Sequence, residues 1–203
     1  MSIFQPIFAA HSLELAVMQT LRDWMPTYLR EIELQQSLPE GQIPPPKTYT
    51  TRNEFTTFPE DQMPICVVIS PGLSGEPYTE GNGTISGWWS LGIGVLASAA
   101  TEEDTNFLSK VYAAAVRAIM VQQSSLGGMC SSIEWVDESY DDIPTDVQER
   151  TIRAAQWIGR ALIDNVVNRS AGPEVPPDPE TQPGSTWTDI DSGSIIVQQM
   201  EEE

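Results

Sequence analysis

The chain has little of the chemistry on which enzymes and metal sites depend. Its 203 residues include one histidine, His11, and two cysteines, Cys66 and Cys130. With no CxxC motif and a single histidine, the ligands of a structural zinc site are missing. No serine or cysteine nucleophile pattern surrounds His11, so the one histidine available as a base has no evident nucleophile for a catalytic triad. The cysteines lie far apart in apolar sequence, which predicts two reduced, buried thiols, with a disulfide or a reactive thiol as alternatives.

Positive charge is also scarce. Ten Lys and Arg residues stand against 29 Asp and Glu residues, for a formal net charge of −19. Such a balance repels phosphate backbones, which argues against binding free DNA or RNA by charge neutralisation. It remains compatible with an oligomer whose acidic lumen lets a DNA duplex pass without specific binding.

Long hydrophobic runs are missing as well. No segment reaches the roughly 20 apolar residues that a membrane span needs. The first residues, MSIFQPIFAAHSLEL, have no basic region ahead of their apolar residues, so we expect no secretory signal. These features predict a protein that is made in a cytoplasm and has no membrane partner.

The composition changes near Gly172. Residues 171–203 are rich in Pro, Gly and Ser and carry eight acidic residues and no basic one. We therefore predict a core over residues 1–170 and an extended acidic C-terminal arm over 171–203. The arm contains apolar residues suited to docking on another subunit by strand addition, the alternative being an idle disordered tail. These candidate contacts are Trp187, Ile195, Ile196 and Val197.

Two segments have the apolar spacing of helices. Residues 12–36 carry a stripe at steps of three and four, and Pro26 is expected to kink this helix rather than split it. Residues 101–123 form the second, with Thr101 as N-cap and three acidic residues in the first turn. The stripe of the first helix is Leu13, Val17, Leu21, Trp24, Tyr28 and Ile32.

A proline-rich segment, residues 37–63, separates the first helix from the strands. Its centre is rich in β-branched and aromatic residues, which favours a long loop or hairpin that protrudes from the core. Protruding loops of this length are usually functional. The candidate contact residues here are Tyr49, Arg52, Phe55 and Phe58, for which ordinary packing on their own domain is the alternative.

Four segments are predicted as strands: 63–70, 84–97, 130–136 and 151–167. The last fits a helix or a strand, and we favour a strand. Gly92 to Ala97 match a GxGxxA nucleotide fingerprint, but the match lies inside a strand rather than at a strand-to-helix turn. The predicted fold class is α+β: a small, mostly antiparallel four-stranded sheet with two helices packed on it.

Acidic residues cluster in a predicted loop over residues 134–146. Carboxylates in a loop can bind calcium, but the spacing does not fit an EF-hand. A solvated loop or a surface for a basic partner is the favoured interpretation, and a metal-dependent enzyme is the remote alternative. No cofactor motif appears, so we expect a protein that is not an enzyme.

An ordered set of segments resembles the tail terminator proteins of long-tailed (siphovirus) bacteriophages that infect actinobacteria. The match covers roughly residues 10–175. The segments that carry it are 29–33, 38–39, 44–49, 63–72, 88–95, 112–118, 125–128, 135–140 and 168–173.

The resemblance implies a structural virion protein that forms a hexameric ring. Such a ring ends the tail tube at the tail–neck junction, so its partners would be copies of itself, the major tail tube protein and the head-to-tail connector or stopper. It also implies inter-subunit contacts through the protruding hairpin and the sheet edges, and no cofactor. A connector, stopper or other neck protein is the nearest alternative, and a cellular binding adaptor is a more distant one.

Overall fold

Two helices lie on one face of a six-stranded sheet in this computed structural model, which describes residues 9–51, 62–143 and 151–168. These residues belong to a compact unit that runs from Met1 to Ala171. The fold is α+β, as predicted. Its elements are α1 (Ala9–Gln35), β1 (Thr48–Thr50), β2 (Ile65–Leu73), β3 (Tyr78–Thr79), β4 (Thr84–Ala97), α2 (Glu102–Gln122), β5 (Ser132–Ile143) and β6 (Ile152–Asn168).

The sheet is mixed and larger than the four-stranded sheet predicted from sequence. Its strands follow the order β1-β2-β4-β6-β5, and the short β3 pairs with β4 beside β2. The pairing of β1 with β2 is parallel and the other pairings are antiparallel. The two additional strands have three residues and two residues, which is too short to give an alternating pattern.

The last of the described strands, β6, lies in the middle of the sheet and confirms the choice of strand over helix. It pairs with β4 along Arg153 to Asn168 and with β5 along Ile152 to Leu162. Trp157, Ala161 and Ile163 face the helices, whereas Ala154 is buried on the other face. The other face is only partly covered, since Ile158 there is 38% exposed. The sequence pattern is ambiguous because apolar residues, Ile158 and Leu162 among them, also occupy this less buried face.

Helix α1 runs through Pro26 without interruption, so it is one element rather than two. Its buried residues repeat every four positions: Ala9, Leu13, Val17, Leu21, Met25, Leu29 and Glu33. The predicted stripe is therefore correct up to Leu21 and wrong at Trp24, which is 41% exposed. A repeat of 4.0 exceeds the 3.6 residues of a turn, so the buried stripe winds around the helix toward Met25 and Leu29.

Helix α2 begins as predicted. The Thr101 hydroxyl accepts a hydrogen bond from the Asp104 backbone N–H at 3.1 Å, and three acidic residues occupy the first turn. The helix packs on β6, β4 and β5, while α1 packs on α2 and β2. Each helix therefore covers a different side of the same sheet face.

The proline-rich segment is tied to the core at two points. The carboxylate of Glu33, only 3% exposed, accepts backbone hydrogen bonds from Gly41 at 3.1 Å and Ile43 at 2.6 Å. The hydroxyl of Tyr112 in α2 donates to the carbonyl of Pro44 at 2.6 Å. Residues 37–51 thus lie against the domain rather than protruding from it, whereas residues 52–61 lie outside the described part.

Candidate assembly surfaces

Strand β5 forms one edge of the sheet. Its inner side pairs with β6 from Ser132 to Ile143, with a bulge at Val136. No strand among residues 9–51, 62–143 and 151–168 pairs with its outer side. An edge of twelve residues presents a row of backbone donors and acceptors to solvent, and such edges can pair with another chain.

The predicted acidic loop is a strand over most of its length, which corrects the sequence interpretation. Residues 134–143 belong to β5, and 144–146 lie outside the described residues. The strand forms because β6 supplies a pairing partner and arginines neutralise alternate carboxylates. These ion pairs are Glu134 with Arg160 at 2.7 Å, Glu138 with Arg117 at 3.0 Å, and Asp142 with Arg153 at 2.7 Å. The hydrogen bond from Arg153 holds the pKa of Asp142 below its ordinary value.

Two carboxylates of β5 form no ion pair with any residue that the structure describes. Asp137 accepts a hydrogen bond from the backbone N–H of Glu138 at 2.8 Å. Asp141 accepts from the Gln156 side chain at 3.0 Å. Both side chains belong to exposed residues on the sheet face opposite the helices, so they give that side of the edge an acidic surface.

Large apolar side chains are exposed along the same strand. Trp135 is 49% exposed and Val136 is 62% exposed, and Tyr140 is exposed as well. The Trp135 indole N–H donates to the carbonyl of Asp137 at 3.0 Å, and its ring lies 5.2 Å from the Arg117 guanidinium. Tyr140 donates to Glu138, and partial burial together with that bond raises its pKa to about 12. The polar atoms of both rings are therefore satisfied while apolar surface stays accessible.

The opposite edge of the sheet is β1, and it has a different character. Tyr49, predicted on a protruding loop, lies in β1 and packs against the core. The guanidinium of Arg22 in α1 lies 5.4 Å from the centre of its ring, and burial raises the pKa of the Tyr49 hydroxyl. The other predicted contact residues lie outside the described residues: Arg52, Phe55, Phe58, Trp187, Ile195, Ile196 and Val197.

The outer surface of the helix layer carries a smaller apolar patch. Trp24 and Tyr28 of α1 meet edge to face at 6.3 Å between ring centres, and Tyr28 donates to Gln122 of α2. Val121 is 58% exposed next to Gln122 in sequence. The hydrogen bond between Tyr28 and Gln122 therefore joins the two helices at their exposed surface.

The described residues offer few other sites. No three His, Cys, Asp or Glu side chains among them lie close enough together to hold a metal ion. Within those same ranges, neither helix has the length and apolar composition to cross a membrane. The Gly92 to Ala97 fingerprint lies inside β4, as predicted, rather than at a turn from a strand into a helix.

Sequence reasoning missed Trp135, Val136 and Tyr140 as candidate contacts. Trp135 and Val136 end the predicted strand 130–136, and no local pattern shows that this strand lies at the sheet edge. Tyr140 lies among carboxylates, which favours a solvated loop over residues 137–146. Comparison with known proteins gives no family to test against: no protein-family model matches the chain, and no curated protein matches it.

Proposed function

We propose that this protein is a structural virion component that forms a hexameric ring at the end of a phage tail tube. The ring would join the tube to the connector at the tail–neck junction, after assembly in the host cytoplasm. Tail tube and connector or stopper proteins would be its partners beside its own copies. Two observations support this role: the ordered sequence resemblance and the exposed edge strand β5, which is suited to contact with another chain.

The single observation that carries the proposal is the exposed edge strand β5. The strand has twelve residues, and three large apolar side chains are exposed along it: Trp135, Val136 and Tyr140. Exposed apolar side chains on an ordinary monomer surface are scattered singly, whereas these lie together on one strand. Aromatic residues are enriched in protein–protein interfaces, where they bury large areas at low entropic cost. The edge is therefore suited to contact with another chain.

The direct test is the oligomeric state of the purified full chain. Analytical ultracentrifugation and negative-stain electron microscopy, alone and with purified tail tubes of the same phage, should reveal rings at the tube end. A chain that remains monomeric in both conditions would overturn the proposal. A chain that binds isolated heads but not tubes would favour the connector or stopper instead.

The C-terminal arm gives a second test of the same assignment. Its apolar residues would attach to a neighbouring subunit and raise the effective concentration of the ring contacts. Deleting residues 185–203 should lower the yield of tails joined to heads. An unchanged yield of complete particles would remove the arm from the proposal while leaving the ring.

The net charge of −19 fits a lumen through which DNA passes. Like charges keep a duplex from adhering to the wall, so it can slide during packaging and ejection. Purified rings should therefore show no retention of duplex DNA at physiological salt. Tight, salt-sensitive DNA binding would contradict this part of the proposal.

A further inference from the structure

We infer that each ring contact places the acidic β5 edge of one copy against the basic β1 edge of the next. This inference rests on the proposed ring and specifies which surfaces meet. The binding partner of the exposed β5 edge is thus a second copy of this chain. Side chains on the two edges supply the attraction, because β1 has only three residues with which to extend the sheet.

A symmetric contact between two β5 edges is disfavoured by charge. In a two-fold contact the same surface meets itself, so Asp137 and Asp141 of one copy would face the same carboxylates of the other. Neither has a basic partner among the residues that the structure describes, and like charges placed opposite each other are destabilising. A copy that binds β5 must therefore use a different surface.

The β1 edge is the complementary surface. The described sequence around β1, from Gly41 to Thr51, contains no Asp or Glu, although the chain as a whole carries −19. It includes Lys47, an exposed residue directly before β1. Arg22 adds a second cation because its guanidinium lies over the Tyr49 ring at this edge. Cations here would face Asp137 and Asp141 of the neighbouring copy.

The topology makes such a contact directional. β1 and β5 are the terminal strands of the path β1-β2-β4-β6-β5, so the two surfaces lie at opposite edges of one sheet. A contact between unlike surfaces repeats from copy to copy and closes into a ring when the rotation permits. Exposed ion pairs are screened by salt, so the assembly should weaken as ionic strength rises.

Two charge-reversed variants of the full chain test the contact. The first, Asp137→Lys with Asp141→Lys, changes only the β5 edge. The second, Arg22→Glu with Lys47→Glu, changes only the β1 edge. All four residues are exposed, so circular dichroism should show both variants folded. Glu76→Lys with Glu103→Lys is the matched control, because it alters two exposed carboxylates outside both edges.

Each edge variant alone should lose the ring in sedimentation velocity, whereas the control should assemble like the wild type. Mixing the two edge variants should restore rings in which the variants alternate, because each edge of one variant then meets an edge of opposite charge on the other. A chain carrying all four reversals should regain the ring, since the charges are exchanged at both edges.

The outcomes separate this inference from the proposed function. If the wild type forms rings and either edge variant assembles equally well, the β5–β1 contact is wrong and the ring stands. A mixture that forms no oligomers, or none larger than those of each variant alone, also overturns the contact. If the wild type forms no ring alone or on tail tubes, the proposed function and this contact fail together.

Discussion

The indole ring of Trp157 lies over Gly159, two residues further along β6 on the same face of the sheet. A Cβ atom at Gly159 would overlap the ring at Cη2 and would lie 2.6 Å from the backbone carbonyl oxygen of Glu134 in β5. Trp157 is fully buried and belongs to the main core cluster. The glycine therefore provides space for the largest side chain of the core and for the pairing of β5 with β6.

Gly159→Ala should destabilise the protein because the clash involves backbone as well as a packed ring. Overpacking of this kind costs about 1–3 kcal/mol, which urea unfolding followed by circular dichroism can measure. Gly81→Ala is the matched control, since a Cβ there meets nothing within 4 Å. Equal unfolding midpoints for the two variants would contradict the packing of Trp157 on Gly159.

Glu33→Gln should reduce stability at neutral pH and should abolish part of the acid sensitivity. Backbone N–H groups of Ile43 and Gly41 lower the pKa of Glu33 from its ordinary value of 4.5. A lowered pKa contributes stability above pH 4.5, and that contribution disappears as pH falls through the folded-state pKa. The difference in urea midpoint between wild type and variant should therefore shrink below pH 4.5.

The control for Glu33 is its neighbour Glu31. Its side chain is exposed and accepts a hydrogen bond from the Gln35 side chain at 3.1 Å. Glu31→Gln should leave both the midpoint and its pH dependence close to the wild type. A Glu33→Gln variant with the wild-type pH profile would show that the carboxylate does not anchor residues 41–43.

Tyr112→Phe should destabilise the domain by about 1 kcal/mol, because the hydrogen bond from the buried Tyr112 side chain to the Pro44 carbonyl is lost. Burial raises the pKa of the Tyr112 hydroxyl, so it remains a proton donor at every pH used for assays. Tyr28→Phe removes a hydroxyl that bonds the exposed side chain of Gln122. The midpoint temperature of thermal unfolding should be clearly lower for Tyr112→Phe than for Tyr28→Phe. The reverse order would count against the hydrogen bond that anchors Pro44.

The two thiols should be inert in the native protein. Both cysteines are free and buried, and burial raises the pKa of Cys66 to about 12 and that of Cys130 to about 11. The thiolate is the reactive species, so a disulfide reagent at pH 8 should label neither residue. Two equivalents should react after unfolding in urea. Rapid labelling of the native chain would mean that one thiol is accessible.

Sequence patterns predicted the elements whose apolar residues face one side. Helix α2, with Thr101 as its cap, and the buried strands β2 and β4 fall close to the expected ranges. The prediction failed where contacts between residues far apart in the chain determine the secondary structure. Nothing local to β5 indicates that Arg117, Arg153 and Arg160 will neutralise its carboxylates, so its second half was interpreted as a loop. The short strand β1 exists only because β2 pairs with it.

The candidate surface was harder to predict than the fold. Tyr49 was selected as an exposed aromatic residue, but its neighbours in space come from α1 and β2, which no local pattern reveals. Trp135 and Tyr140 were passed over because the surrounding carboxylates dominate the local composition. Exposure depends on which strand occupies the edge of the sheet, and that is set by pairing between residues far apart in the chain.

The central place of β6 has a consequence for how the chain is made. β6 supplies the partner on the second side of β4 and the one described partner of β5, and it leaves the ribosome after the other described strands. Until then the hydrogen-bonding side of β4 stays open while nascent chains are close together on polysomes, and open edges promote misassembly. Translation that stalls before Ile152 should therefore release aggregation-prone fragments, and chaperone demand should fall once β6 has emerged.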